Sequence, residues 1–265
     1  MRISLVQTTL HWENPGANRD MLAEKIHDLH GKTDLVILPE MFSTGFTMNA
    51  AAMAEPMDGL TMQWLVEQAS KIQAGIAGSF ICRENDRYFN RFVFMRPDGT
   101  FACYDKKHLF SLAGEQEYFT AGRKRVVIDW LGWRICPQIC YDLRFPAWGR
   151  NVGHHEERNS KEAYDLLLYV ANWPARRALH WKTLLSARAI ENQSYVVGVN
   201  IVGTDGNGLT YSGDSTGVDF GGQILAHSGE GQEAIMTIAL EKDALDLYRT
   251  QLPFLQDADV YEFKD

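Results

Sequence analysis

The sequence predicts an α/β fold in which two sheets lie face to face and helices cover their outer faces. Three observations support this prediction. Apolar strand-like runs alternate with helical patterns, the alternation occurs twice along the chain, and several strands end beside an ionisable or nucleophilic residue. No linker interrupts the 265 residues, of which 45% are hydrophobic, so we expect one domain over residues 1–265 with a well-filled core.

The first half of the chain is predicted to alternate strands with two helices. Its strands are apolar runs, and they cover residues 3–7, 35–38, 74–81, 92–95 and 101–104. One helix begins after Asn14, a residue type that caps helices, with Pro15 in its first turn; the other follows Leu60. Pro39 ends the second strand, because proline has no N–H for the ladder.

The second half repeats this alternation. Its predicted strands cover residues 126–130, 133–140, 166–171, 195–200, 215–220, 223–226 and 234–240. Helices are predicted over residues 179–190 and 242–251 from their apolar spacing. The glycine-rich segment at residues 203–208 predicts a turn, and it lacks the Lys-Ser/Thr of a phosphate-binding loop. Residues 151–163 are polar and unpatterned, which predicts a solvated surface insertion.

Composition and charge indicate which kinds of molecule the protein is expected to bind. A net charge of −8 disfavours nucleic acid, which is bound mainly through clustered Lys and Arg. No apolar run reaches membrane-spanning length, and the first residues enter a strand without a signal-peptide pattern. The four cysteines lack the spacing of a secretory disulfide framework, so we expect reduced thiols and a cytoplasmic protein acting on a small molecule.

Two further segments bear on partners. The paired His154 and His155 have no closed ligand set nearby, so we expect no metal site. The tail at residues 253–265 contains Phe254, Val260 and Tyr261, and it is too apolar to float freely. We expect it to pack on the body of the protein or on a second subunit.

Three candidate functional residues follow predicted strand ends: Glu40, Lys107 and Cys140. The functional crevice of an open α/β sheet lies outside the carboxyl ends of its strands, so these residues are candidates for one site. Such a set can attack a carbonyl: the ammonium lowers the thiol pKa and stabilises the oxyanion, and the carboxylate accepts the proton. The backbone N–H of Tyr141 is the second candidate donor to the oxyanion.

From the residues alone, other interpretations stay open. Glu40 fits a capping or salt-bridged surface carboxylate equally well. A cysteine is most often a small buried hydrophobic residue, which we expect for Cys82, Cys103 and Cys136, and Cys140 could be another.

Three motifs resemble those of the nitrilase (carbon–nitrogen hydrolase) superfamily: residues 38–42 (LPEMF), 104–110 (YDKKHLF) and 139–146 (ICYDLRFP). The likeness continues through residues 172–174, 187–193 and 213–215, so it covers nearly the whole chain. It implies a four-layer αββα sandwich that pairs into homodimers and needs no metal or organic cofactor. It also implies Glu40 as general base, Lys107 as oxyanion stabiliser, Cys140 as nucleophile, and Glu115 as the residue that positions substrate and water.

Within the superfamily, residues 40–46, 105–110 and 169–174 look most like the bacterial omega-amidases. Those enzymes hydrolyse the terminal amide of 2-oxo acid amides such as 2-oxoglutaramate and 2-oxosuccinamate, and we expect the same activity here. The family often has arginine where Lys106 stands, a change we expect to be minor; the insertion at residues 151–163 is the larger departure. Other small amides, nitriles or carbamoyl compounds are alternative substrates, and a catalytically silent binding scaffold is the alternative of another class.

An omega-amide substrate carries a carboxylate, and an arginine offers it a bidentate fork. Arg176 and Arg177 are the candidates, although solvated arginines at a helix start are equally compatible with their position. We expect Asp142 and Arg144 to form a local ion pair that braces the turn after Cys140.

Three aromatic residues, Phe42, Phe46 and Trp173, are candidates for the walls of the substrate pocket. Each is equally compatible with an ordinary place in the hydrophobic core.

Overall fold

The structure is a computed structural model that describes residues 1–152 and 163–259. Within those ranges the strands are β1 (Arg2–Gln7), β2 (Leu35–Ile37), β3 (Gly75–Glu84), β4 (Arg87–Met95), β5 (Phe101–Asp105), β6 (Ile128–Trp130), β7 (Trp133–Ile139), β8 (Leu166–Val170), β9 (Tyr195–Val199), β10 (Val202–Thr204), β11 (Thr210–Ser212), β12 (Thr216–Val218), β13 (Ile224–His227) and β14 (Ala234–Ala239). The α-helices are α1 (Pro15–Ile26), α2 (Ala50–Met53), α3 (Leu60–Ile72), α4 (Glu115–Tyr118), α5 (Ala178–Asn192) and α6 (Lys242–Gln251).

Two six-stranded sheets form the frame of the fold. The strand order is β14-β1-β2-β3-β4-β5 in the first sheet and β13-β12-β9-β8-β7-β6 in the second. Each sheet has three neighbouring parallel strands, β1-β2-β3 and β7-β8-β9, flanked by antiparallel strands. The two sheets therefore share one plan, which confirms the predicted pair of similar α/β halves.

The two sheets pack face to face through apolar side chains. Ile37 of β2, Ile135 of β7 and Val197 of β9 are fully buried in one shared cluster between them. A second cluster packs α1 and α3 on the outer face of the first sheet, and a third packs α5 on the outer face of the second through Trp181 and Leu185. These layers make the αββα sandwich that the sequence predicts.

Several predicted elements match the structure closely. One hairpin, β3–β4, is longer than predicted, and another, β10–β11, was not predicted. Helix α6 has the predicted bounds, and Asn14 caps α1 by accepting a hydrogen bond from Ala17 N at 3.2 Å. Strands β3 and β4 extend beyond the prediction and meet at Asn85-Asp86, where both residues have a positive φ, as tight hairpin turns require. The prediction began the second of these strands at residue 92, so it missed Asn90.

The glycine-rich segment at residues 203–208 contains the turn of a small hairpin, because β10 and β11 pair antiparallel outside both sheets. Gly206 lies against the ring of Trp12, where an added Cβ would stand 2.4 Å from the nearest ring atoms. Only glycine allows this close approach. The hairpin is therefore packed down beside the carboxyl ends of the central strands, and it carries Tyr211 there.

Two predictions fall partly outside the described residues. His154 and His155 of the predicted insertion lie outside them, as do Val260 and Tyr261 of the apolar tail. Within the described part of that tail, Leu255 is buried and Phe254 is 58% exposed. No helix in the described ranges is both long and apolar enough to cross a membrane.

Candidate active site

Four functional side chains meet at the carboxyl ends of strands from both sheets. Glu40 follows β2, Lys106 follows β5, Cys140 follows β7, and Glu115 opens α4. Glu40, Lys106 and Glu115 are completely buried, and Cys140 is partly exposed to a cavity. The predicted meeting of Glu40, Glu115 and Cys140 at strand ends is therefore what the structure shows.

The lysine of this cluster is Lys106, and the prediction of Lys107 is wrong. Lys106 Nζ donates to Glu40 Oε1 at 2.9 Å and to Glu115 Oε2 at 2.9 Å. Lys107 Nζ instead lies 5.1 Å from the centre of the Trp148 ring. Successive side chains of an extended segment point to opposite faces, so two adjacent lysines at a strand end cannot share one site.

Sharp backbone turns present both Glu40 and Cys140. Cys140 has a φ of 44°, and Met41, directly after Glu40, also has a φ of 44°. Positive φ is strained for residues other than glycine, so the surrounding structure must hold these turns. Ser79 Oγ accepts a hydrogen bond from Met41 N at 2.8 Å and so fixes the turn after Glu40.

Asp142 holds the turn that carries Cys140. Its buried carboxylate accepts hydrogen bonds from Ile139 N at 3.0 Å and Tyr104 Oη at 2.7 Å. It also accepts from His108 N at 2.9 Å and lies 2.8 Å from His108 Nδ1. Tyr104 and His108 belong to the β5 segment, so Asp142 ties the Cys140 turn of one sheet to the Lys106 segment of the other.

The predicted ion pair between Asp142 and Arg144 is wrong. The donors to Asp142 come from the β5 segment and from Ile139. The guanidinium of Arg144 lies over the Trp173 ring, with Cζ 4.8 Å from the ring centre, and its Nη2 is 3.0 Å from His180 Nδ1.

Two asparagines that the sequence did not predict as site residues fix the Glu40 carboxylate. Asn90 Nδ2 donates to Glu40 Oε1 at 2.8 Å, and Asn172 N donates to Oε2 at 2.8 Å. Asn172 Nδ2 also donates to the Glu40 carbonyl at 2.6 Å. Asn172 follows the predicted strand at residues 166–171, which is a signal that could have identified it; Asn90 lies inside a strand and has no such local signal.

The electrostatics keep the Cys140 thiol protonated. Burial raises its pKa well above the ordinary value and the negative Glu40 raises it further, whereas the Lys106 ammonium lowers it by less. The lysine therefore lowers the thiol pKa in the expected direction, but burial and Glu40 outweigh it. Cys140 Sγ donates to the Asn172 carbonyl at 3.9 Å, and Glu40, whose charge acts on the thiol, is the group that can take its proton.

The other buried groups are strongly coupled. Burial opposes the charge on Lys106, but the nearby Glu115 and Glu40 carboxylates outweigh it and raise the lysine pKa above its ordinary value. Burial also raises the pKa of Glu115, with Lys106 acting in the opposite direction and Glu40 adding to the rise. Lys106 therefore stays charged, and it compensates two carboxylates that would otherwise repel each other.

A cavity of about 600 Å³ opens beside Cys140. The predicted Phe46, Trp173, Arg176 and Arg177 line it, together with residues including Tyr141, Arg144 and Tyr211. Among residues 1–152 and 163–259, no group of three or more His, Cys, Asp or Glu side chains is arranged to hold a metal ion. The cavity is thus a place where a small organic molecule can reach the cysteine.

The prediction that Phe42 lines the pocket is wrong. Phe42 is fully buried on the outer face of the first sheet, where its ring centre lies 5.8 Å from that of Trp64. Gly78 leaves room for the ring, because an added Cβ would stand 2.8 Å from Phe42 Cδ1. The side chain is therefore a core aromatic.

The cavity lining contains three arginines, Arg144, Arg176 and Arg177, and two carboxylates, Glu13 and Asp205. The arginine ion pairs between described residues all involve other arginines. Burial lowers the pKa of Arg177, and the neighbouring Arg176 and Arg144 lower it further. Guanidiniums that repel one another and have no carboxylate partner favour an anionic ligand.

Comparisons with known proteins indicate the family to which the chain is similar. A family model described as carbon-nitrogen hydrolase matches residues 2–250. The chain is 46% identical to omega-amidase YafV of Yersinia enterocolitica, covering 98% of each chain, and 31% identical to 2-oxoglutaramate amidase of Bacillus subtilis, covering 96% of each. The crystal structure of XC1258 from Xanthomonas campestris, a CN-hydrolase superfamily protein with an arsenic adduct in its active site, matches with a TM-score of 0.96 and 46% identity, covering 100% of this chain and 99% of that one.

Replacing Glu40 by glutamine (Glu40→Gln) is expected to lower the pKa of the Cys140 thiol. The substitution removes the carboxylate that repels the thiolate and leaves Lys106 in place. The measurement is a pH titration of thiolate ultraviolet absorbance, with a Cys140→Ala protein subtracted to remove the signal of the other cysteines. A midpoint that stays unchanged or rises in the variant would contradict this electrostatic account.

Proposed function

The chain belongs to the carbon–nitrogen hydrolase family, and on that premise we propose that it is an omega-amidase. The substrates are 2-oxo dicarboxylic acid monoamides, such as 2-oxoglutaramate and 2-oxosuccinamate, and the products are the 2-oxo acid and ammonia. One observation carries the proposal: the cavity beside Cys140 joins a buried Glu40–Lys106–Glu115 cluster to a wall of arginines that have no carboxylate partner in the described part of the chain. Relatives named as omega-amidase and 2-oxoglutaramate amidase support the substrate class.

In the first half of the proposed reaction, Cys140 Sγ attacks the amide carbon and its proton passes to Glu40. The carbonyl oxygen becomes an oxyanion, which the positive charge of the Lys106 ammonium and the Tyr141 N–H stabilise. Glu40 then gives the proton to the amide nitrogen, the C–N bond breaks, and ammonia leaves. The acyl group remains on Cys140 as a thioester.

In the second half, a water molecule replaces the ammonia. Glu40 takes a proton from this water, which attacks the thioester carbon, and Lys106 again stabilises the oxyanion. The C–S bond breaks and the proton returns to the Cys140 sulfur, which restores the resting thiol. Glu115 holds Lys106 in place and orients the water and substrate.

The arginine wall supports a substrate with a carboxylate at the end remote from the amide. We assign this contact to Arg177 and Arg144, of which the sequence suggested only Arg177. Their side chains rest on aromatic faces, Arg177 with Cζ 5.3 Å from the Phe110 ring centre and Arg144 over Trp173. A guanidinium that packs against an aromatic ring has less freedom to move, which favours a defined contact with a carboxylate.

Incubating the protein with 2-oxoglutaramate or 2-oxosuccinamate is expected to release ammonia in a Cys140-dependent manner. The measurement is ammonia production across a panel that also contains simple aliphatic amides, nitriles and carbamoyl compounds. A Cys140→Ala protein serves as the control and is expected to be inactive. Preferential turnover of another substrate class would show that the protein is a hydrolase of the same family with a different substrate. A lack of activity on the whole panel would favour a silent binding scaffold instead.

Replacing Lys106 and Lys107 separately tests which of the two lysines stabilises the oxyanion. Lys106→Met is expected to lower kcat/KM about 100- to 1000-fold, the usual effect of losing an oxyanion donor. Lys107→Met is the matched control and is expected to stay within about threefold of the native protein, because a partly exposed cation–π contact is worth only about 0.5–1 kcal/mol.

The same measurements should include the melting temperature. Lys106→Met is also expected to destabilise the fold, because it leaves two buried carboxylates uncompensated. Lys106→Arg keeps the charge and separates loss of folding from loss of chemistry. A Lys107 variant with the larger loss of kcat/KM would show that our placement of the lysine is wrong.

Replacing Arg144 or Arg177 by glutamine is expected to raise KM for 2-oxoglutaramate about 10- to 100-fold, the effect of losing a hydrogen bond to a charged group. The same variants are expected to leave the hydrolysis of an aliphatic amide without a carboxylate nearly unchanged. Arg123→Gln, at an exposed arginine away from the cavity, is the matched control. Equal losses on both substrates would argue against a carboxylate contact.

We also propose that the chain is a single domain over residues 1–265, forms a homodimer and works in the cytoplasm. Exposed apolar side chains on the outer helices support the dimer: Leu179 is 72% and Ile190 55% exposed on α5, and Leu247 is 58% exposed on α6. All four cysteines are thiols in the structure, which supports a reducing compartment.

A further inference from the structure

Asn90 closes a ring of hydrogen bonds inside the buried cluster. Glu40 Oε1 accepts from Lys106 Nζ at 2.9 Å and from Asn90 Nδ2 at 2.8 Å. Glu115 Oε1 accepts from the same two nitrogens, at 3.1 Å and 3.4 Å. The two carboxylates are therefore joined by one charged donor and one neutral donor, on opposite sides of the ring.

Burying Asn90 at this position leaves one of its polar atoms without a hydrogen bond among the described residues. The side chain is completely buried on β4, and its Oδ1 has no hydrogen-bond partner among the described residues. A buried amide with one unpaired oxygen is unfavourable, so a residue chosen only to fill space here would be apolar. The unpaired oxygen is offset by the two hydrogen bonds that Asn90 Nδ2 donates to the Glu40 and Glu115 carboxylates.

Asn90 is also held rigidly relative to the lysine. Its backbone carbonyl accepts a hydrogen bond from Lys106 N at 3.0 Å, and its strand pairs with β3 and β5 on either side. The amide nitrogen and the ammonium therefore come from neighbouring positions of one rigid sheet. Such a geometry can fix the carboxylates more closely than a flexible lysine alone.

We propose that Asn90 is a positioning residue that holds the Glu40 carboxylate in place beside Cys140 while a second carboxylate, Glu115, lies next to it. The amide donates a hydrogen bond to each carboxylate without adding a second positive charge to the cluster. Asn90 touches neither the cavity nor the reacting atoms. It acts through Glu40, and the inference rests on the proposed role of Glu40 as base.

The groups that face Glu40 determine what the loss of Asn90 would do. They are Lys106 from the end of β5, Glu115 from α4, Cys140 from the turn after β7, and Tyr211 from β11, with Asn172 N as a further donor. Without the Asn90 donor, Lys106 Nζ and Asn172 N still donate to Glu40, and the like charge of Glu115 stays beside it. The pKa of Glu115, which burial and Glu40 already raise, is then expected to rise further, because its carboxylate loses a donor.

Two variants test this inference. Asn90→Asp keeps the shape of the side chain but replaces the two-proton donor by a third carboxyl group, and Asn90→Ala removes the side chain. Both are expected to lower kcat about 10- to 100-fold with little change in KM. The acid limb of the pH profile of kcat/KM is expected to move up by about one pH unit, with the larger shift in Asn90→Asp.

A readout without substrate separates this inference from the proposed function. Infrared difference spectra of the carboxyl stretch, assigned with Glu40→Gln and Glu115→Gln proteins, follow the titration of the buried pair directly. This titration is expected to move to higher pH in both Asn90 variants, even if the native protein releases no ammonia from any 2-oxo acid amide.

Asn192→Ala is the matched control. Asn192 is also completely buried and hydrogen-bonded, but its partners are Asn151 N and the Arg188 carbonyl at the end of α5. The control is expected to lower the melting temperature without moving the carboxyl titration. The inference is overturned if the Asn90 variants leave the titration in place, or if Asn192→Ala moves it equally.

Discussion

The buried ammonium of Lys106 is the interaction on which the site depends. It lies within 3.1 Å of oxygens from both Glu40 and Glu115, and all three side chains are shielded from water. Desolvated charges are stable only when they are paired, so each of the three requires the other two. Because they come from the ends of β5 and β2 and from the start of α4, this mutual requirement also fixes how those segments meet.

The nucleophile reaches this cluster from the opposite sheet, so the site also depends on how the two sheets are joined. Asp142 makes that connection, since it accepts hydrogen bonds from the Cys140 turn and from the Tyr104–His108 segment. The left-handed backbone at Cys140 is unfavourable by itself and is stabilised by these bonds. The conformation of the Cys140 turn therefore depends on contacts between the two sheets.

The fold and the identity of most site residues were predictable, because strand ends, helix caps and motifs are local signals. The choice between Lys106 and Lys107 required the direction of β5. Tyr104 packs between the sheets, so Lys106, two residues on, faces the same side. Asn90 and Arg144 were missed because their roles come from partners far away in sequence. Asn90 contacts residues 25 and 50 positions away, and Arg144 packs on Trp173, so neither contact leaves a local pattern.

The distribution of charge in the cavity favours one orientation of the bound substrate. Lys106 and Cys140 line the cavity, with Glu40 and Glu115 bonded to the lysine, and its wall carries Arg144, Arg176 and Arg177. A neutral amide can approach Cys140, while a carboxylate at the other end of the substrate is drawn to the arginines. Hydrolysis then converts the amide into a second carboxylate beside Glu40, where the two negative charges repel each other. The charge difference between amide and acid therefore favours binding of the substrate and release of the product from the same site.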